Sequence, residues 1–216
     1  MTAVLFGSIS TVADTSELQR DAYNRAFQAH GLDWSWDREE YRGLLASSGG
    51  QDRVAEYGRS TGHAVDAQAV HETKSELFQQ SLATTRLTPR AGVADTIAAA
   101  RSKGWKVGLV TTTSRANITA LLDAIDGVGA EDFDVIVDRS DVEKPKPDPA
   151  AYVVATEKLT ETPGSCVAVE DNVGGVEAAA AAGVPCVAFP NENTAAHDFG
   201  TARIVDHLDL DEIATA

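Results

Sequence analysis

Short apolar runs and segments of helical period divide the chain. Ala3-Val4-Leu5-Phe6, closed by Gly7-Ser8-Ile9-Ser10, reads as a buried strand feeding a loop. Asp14 followed by Glu17 is a helix-start signature, and Leu18, Ala22, Tyr23, Ala26 and Phe27 then recur at helical spacing until Gly31. Residues 32–87 remain helical in pattern, with breaks predicted at Gly49-Gly50 and from Gly58 to Gly62, and a long helix predicted over Asp66–Ala83. Pro89 and Gly92 mark a boundary.

Beyond it the rhythm changes. Helices are predicted at Ala94–Lys103, Arg115–Ile125, Pro149–Leu159 and Val173–Ala182. They alternate with strands at Lys106–Val110, Asp134–Val137, Val167–Val169 and Pro185–Ala188. Such alternation means βαβ units around a parallel sheet, and the first strand should join that sheet. The predicted fold is therefore α/β, doubly wound, with a core of residues 1–15 and 88–216 and an inserted helical segment at 16–87. In such sheets ligands sit at the carboxyl ends of strands. The ends to inspect are Gly7–Ser10, Thr111–Thr113, Asp138–Lys146 and Glu170–Asp171.

Charge narrows the function. Lys and Arg number 18 and Asp and Glu 33, a net charge of −15. Residues 1–115 hold 13 basic and 13 acidic side chains, whereas residues 116–216 hold 5 and 20. So acidic a chain is a poor phosphate-backbone binder, and no nucleic-acid partner is expected. No run of about eighteen apolar residues is present, so no membrane span is predicted. The N-terminus lacks a basic region before an apolar stretch, and Cys166 and Cys186 form no metal or disulfide pattern. The expected location is the cytoplasm.

The predicted strand ends carry hydroxyls, a lysine and paired acids. Thr111-Thr112-Thr113-Ser114 places hydroxyls and backbone N–H groups before a helix, where a phosphate is favoured. Lys144-Pro145-Lys146-Pro147-Asp148 sets lysine on a proline-stiffened loop. Glu170-Asp171 suits a hard cation such as Mg²⁺.

Together these stretches resemble the haloacid dehalogenase superfamily, in its β-phosphoglucomutase-like branch with a helical cap. Val169 to Ala179 is similar to that branch's acidic metal motif, and Lys144 to Asp148 to its lysine motif. Gly31 to Asp37, with Gly49-Gly50-Gln51-Asp52-Arg53, resembles the cap of the CbbY-like phosphatases, which act on sugar phosphates. The resemblance implies phosphate binding by Thr111, Thr112 and Lys144. It implies a metal held by Asp171, Glu170 and the Ile9 carbonyl, and substrate contacts from Arg53 and Gln51 of the cap.

The first motif departs from the family's Asp-x-Asp-Gly-Thr. Gly7 stands at the nucleophile and Ile9 at the acid/base, while Thr11 still matches. Asp14 fits the start of the cap linker, so no shift of register supplies the acids. Glycine cannot attack phosphorus and isoleucine cannot carry a proton. Losing a covalent nucleophile costs on the order of 10⁶ in turnover. The resemblance thus implies a hydrolytically impaired homologue that binds a phosphate ester or phosphate, with Mg²⁺ binding weakened. The alternative is an active Mg²⁺-dependent phosphatase of small metabolites using non-standard residues, Ser8 and Ser10 being the nearest hydroxyls. A third reading is a protein-binding role with no small ligand. Trp34 and Trp36 are expected to pack in the cap, the cysteines to act as small buried hydrophobes, and His30, His63, His71, His197 and His207 to lie at the surface.

Overall fold

The computed structural model describes residues 1–46 and 49–215. Six parallel strands form one sheet in the order β3-β2-β1-β4-β5-β6. They are β1 (Ala3–Phe6), β2 (Lys106–Val110), β3 (Val135–Val137), β4 (Cys166–Glu170), β5 (Cys186–Ala188) and β6 (Arg203–Ile204). The predicted α/β architecture is the observed one. Phe6 pairs with Leu109 on one side and with Val169 on the other, so the carboxyl ends of β1, β2 and β4 finish level.

Side chains alternate across each strand. Val4, Phe6, Leu109 and Val169 enter one apolar layer, packed by α6 (Val93–Ser102) and α7 (Arg115–Ala124). Ala3, Leu5 and Ala168 enter the opposite layer, packed by α8 (Ala150–Leu159) and α9 (Val173–Ala181). This alternation decides what each strand end presents.

After β1 the chain makes one turn of helix, α1 (Ile9–Val12), which the apolar pattern did not reveal. Ser8 caps it by accepting from the Thr11 N–H. Four helices follow: α2 (Ser16–Ala29), α3 (Arg38–Leu44), α4 (Gly50–Thr61) and α5 (Ala67–Leu82). The cap of α2 is Thr15 rather than Asp14, because the Asp14 carboxylate turns to the Ser16 N–H and hydroxyl. The break predicted from Gly58 to Gly62 comes at its far end. Helix α4 runs through Gly58, where Val65 packs so close that an added Cβ would lie 2.6 Å from its Cγ1. The helix ends at Gly62, whose φ is +73°. At the far end β6 and α10 (Leu210–Ile213) extend the core, and neither has a periodic signal long enough to read.

These helices enclose an aromatic cluster. The Phe27 and Trp36 rings lie 4.6 Å apart, Tyr23 and Trp36 4.9 Å, and Trp34 and Tyr57 5.0 Å. Asn24 clamps the backbone of Trp36, accepting from its N–H at 2.8 Å and donating to its carbonyl at 3.0 Å. Both tryptophans are buried, as expected. Truncation there removes a filled volume with no partner able to close it. Trp36→Ala should therefore lower stability by about 3–5 kcal/mol, read by urea denaturation. A loss under about 1 kcal/mol would mean that the cluster does not organise this segment.

Candidate functional site

The carboxyl ends of β1, β2 and β4 open into a cleft of about 780 Å³, with α2, α4 and α5 on its far side. Strand alternation sorts the two adjacent acids. Glu170 shares the face of Ala168 and points toward α8, whereas Asp171 falls on the face of Val169.

Gly7 follows Leu5 on the Glu170 face, and this controls the site. The Glu170 carboxylate is completely buried, and it fills the space a side chain at Gly7 would take. A Cβ on Gly7 would lie 2.1 Å from its Cδ and 2.4 Å from the Tyr152 hydroxyl oxygen. A Cβ on Gly175, in the first turn of α9, would also lie 2.1 Å from that carboxyl carbon. The carboxylate is thus held between two glycines. Its Oε1 accepts from Lys146 Nζ at 2.5 Å and from Tyr152 Oη at 2.7 Å. Burial pushes the Glu170 carboxyl above its ordinary value, and the charge of Asp171 adds to this against the pull of Lys146. Burial and the neighbouring carboxylate likewise push the Tyr152 hydroxyl well up.

The buried lysine is Lys146, not Lys144. A turn closed by the Asp148 N–H on the Pro145 carbonyl directs Lys146 inward, whereas Lys144 lies exposed ahead of that turn. Lys146 donates to Glu170, to the Val110 carbonyl at 2.7 Å and to the Gly7 carbonyl. It therefore clamps the ends of β1, β2 and β4 to one another.

Asp171 is nearly buried but lines the cleft. Its Oδ1 accepts from Ser8 Oγ at 2.7 Å, Asn172 Nδ2 at 3.1 Å and Thr11 Oγ1 at 3.4 Å. Its Oδ2 accepts from Asn191 Nδ2 at 3.4 Å. Thr111 and Thr112 line the cleft, with Thr113 and Ser114 beside them at the start of α7. The Thr111 hydroxyl accepts from the Thr113 N–H at 3.2 Å.

Facing them, the helical segment contributes Arg53 and Lys74, both buried, and the exposed Gln51 at the rim. Arg53 donates from Nε to the Leu44 carbonyl at 2.7 Å. Lys74 donates to Gln19 Oε1 at 2.9 Å, with its ammonium over the rings of Tyr23 and Phe78. Burial, with the charge of Arg53, pulls its pKa down to about 7. His71 also lines the cleft rather than the open surface, and burial beside Lys74 and Arg53 pulls it down to about 4. His197 is half-buried, while His30, His63 and His207 are exposed.

Lys74 escaped the sequence reading, although its signal is there. Ala67, Val70, Lys74, Phe78 and Leu82 make the buried stripe of α5, and a lysine on such a stripe faces the interior.

A family model for haloacid dehalogenase-like hydrolases matches residues 1–183. The chain belongs to that family. Protein CbbY of Cereibacter sphaeroides is 39% identical over 209 residues, covering 94% of this chain and 91% of that protein. A crystal structure of mutant CbbY from Rhodobacter sphaeroides with xylulose 1,5-bisphosphate superposes with a TM-score of 0.88 at 39% identity, over 96% of this chain and 94% of that one. A β-phosphoglucomutase from Clostridium difficile, at 20% identity and a TM-score of 0.81 over 100% of this chain and 96% of that one, shares the fold.

Phosphatases of this haloacid dehalogenase-like family generally use Mg²⁺. The residues here do not fit a metal. Glu170 is turned between Gly7 and Gly175, the Ile9 carbonyl accepts from the Ala13 N–H within α1, and Asp171 is left alone at the cleft. Among the described residues no three His, Cys, Asp or Glu side chains converge.

Two measurements check this geometry. Gly7→Ala should cost about 1–3 kcal/mol through overpacking, and Glu170→Ala about 3–5 kcal/mol by stranding Lys146. Since the first clash is with the second side chain, the double variant should lose less than the sum, and strict additivity would refute the contact. Second, an unfolded Lys74 holds its proton up to its ordinary 10.5 while the folded one releases it near 7. The unfolded state then binds more protons, so this residue makes stability rise with pH above 7. The rise runs until cysteine titration begins near 9, since the buried thiols act in the opposite sense. Lys74→Met should flatten that rise in denaturation curves taken across the interval.

Proposed function

We propose that this protein is a CbbY-like sugar-phosphate phosphatase homologue that binds phosphate esters or phosphate and hydrolyses them poorly or not at all. The observation that carries this reading is the Glu170 carboxylate in the space beside Gly7, tied to Lys146 and Tyr152. A nucleophile must stand within reach of phosphorus with an unengaged lone pair. Here Gly7 offers no atom, Ile9 no proton, and the nearest carboxylate is turned into the protein.

The binding part of the reading rests on the cleft walls. Thr111, Thr112 and Ser114 would donate to phosphate oxygens at the N-terminus of α7, where backbone N–H groups favour an anion. Arg53 and Lys74 would meet the ligand from the helical segment, which we take to be the cap, residues 16–87. Lys146 would act as charge behind the strand ends, since its three donors are already engaged. The CbbY relative crystallised with xylulose 1,5-bisphosphate makes a phosphorylated sugar the first ligand to test.

A second reading keeps hydrolysis, and one contact favours it. Ser8 Oγ lines the cleft and donates to Asp171 Oδ1 at 2.7 Å, an arrangement in which the hydroxyl would attack and the carboxylate take its proton. A phosphate-release assay across sugar phosphates with Mg²⁺ separates the two. We expect turnover far below about 1 s⁻¹, the low end for ordinary enzymes. Turnover above that, abolished by Ser8→Ala, would establish the second reading. Gly7→Asp with Ile9→Asp should restore measurable hydrolysis by forcing Glu170 out toward the cleft. A folded but inert double variant would mean that the pocket has diverged as well.

A further inference from the structure

Every carboxylate at the strand ends already has protein donors. Lys146 and Tyr152 hold Glu170 on Oε1, and its buried Oε2, which has no hydrogen-bond partner, lies against Gly175. Asp171 receives two hydroxyls and two amides, from Ser8, Thr11, Asn172 and Asn191. Hydroxyl and amide donors satisfy a carboxylate without a cation, and Ser8 Oγ already occupies Asp171 Oδ1. Mg²⁺ asks for octahedral oxygen ligands and gives up water reluctantly, so one carboxylate shared with four donors holds it poorly.

The charges point the same way. With Glu170 paired to Lys146, Asp171 is an acid beside the place a phosphate would enter, with the charge of Arg90 acting on it but no ion pair made to it. Buried positive charge lies opposite, on Arg53 and Lys74 of α4 and α5, and Arg139 lines the cleft from the core side. An incoming anion favours the charged form of Lys74, so ligand and ammonium reinforce each other.

We propose that the cleft takes up phosphorylated ligands without a divalent cation, Arg53 and Lys74 supplying the compensating charge while Asp171 opposes binding. The inference rests on the phosphate-binding reading above and deepens it. In a metal-assisted site Asp171 would be the residue binding depends on. Here its charge is a cost to the ligand.

Mn²⁺ titration of the full chain, followed by electron paramagnetic resonance, tests the metal half with no ligand present. The free-ion signal should persist at equimolar protein. A saturable site that disappears in Asp171→Asn would overturn the inference. Calorimetry with xylulose 1,5-bisphosphate tests the other half. The dissociation constant should agree within about threefold between EDTA and excess Mg²⁺. Asp171→Asn should tighten binding by about threefold to tenfold. Lys74→Met should weaken it by at least about tenfold. Binding only with Mg²⁺, weaker binding in Asp171→Asn, or unchanged affinity in Lys74→Met would overturn the inference and leave the phosphate-binding reading standing. No binding in either buffer would overturn both.

Discussion

The buried pair of Lys146 and Glu170 is the constraint on which the strand ends depend. Its ammonium reaches three strands: the carbonyls ending β1 and β2, and the carboxylate ending β4. An ion pair in a low-dielectric interior persists only when nearly every remaining donor and acceptor is met. Lysine meets that condition here through two backbone carbonyls, whereas glutamate meets it on Oε1 alone, through Lys146 and the Tyr152 hydroxyl, and its buried Oε2 has no partner. The arrangement exists because the side chain at position 7 is a hydrogen atom.

The distribution of charge takes a different meaning in three dimensions. The core half of the chain is acidic, and at the cleft its buried Lys146 is already paired with Glu170, which leaves Arg139 at the lining and Arg90 near Asp171. The opposite wall, built from the balanced half, brings Arg53 and Lys74 with His71 beside them. With a Debye length of about 8 Å at physiological salt, these few groups outweigh the distant acids. The polarity of the cleft is therefore set by these local groups, not by the total of −15.

The sheet was legible, β6 apart, because its strands are short, mostly buried and punctuated by glycine and proline, so apolar runs mark them directly. The helices between β1 and β2 were legible for a similar reason, α5 carrying a clear stripe. What escaped was of two kinds. Elements of two to four residues, such as α1, β6 and α10, are too short to show a period. Orientation escaped too. Lys144 and Lys146 sit in one motif, and only the turn that follows decides which faces inward. That Glu170 shares a face with Gly7 was readable from strand alternation, but only once β1 and β4 were known to be neighbours in register. Lys74 asked for one more step: a charge on an apolar stripe signals a site rather than an error in the pattern.

The hole between Gly7 and Gly175 also bears on how such a chain can change over generations. A carboxylate at position 7 and the inward Glu170 exclude each other, so the two arrangements are separate packings rather than points on a continuum. Substitution at position 7 alone meets an occupied space, and removing Glu170 alone strands a buried lysine. Each single step is unfavourable, and the two together cost less than their sum. The vacancy at the first strand end is thus kept by packing, a ratchet that holds whether or not selection still acts on the chemistry.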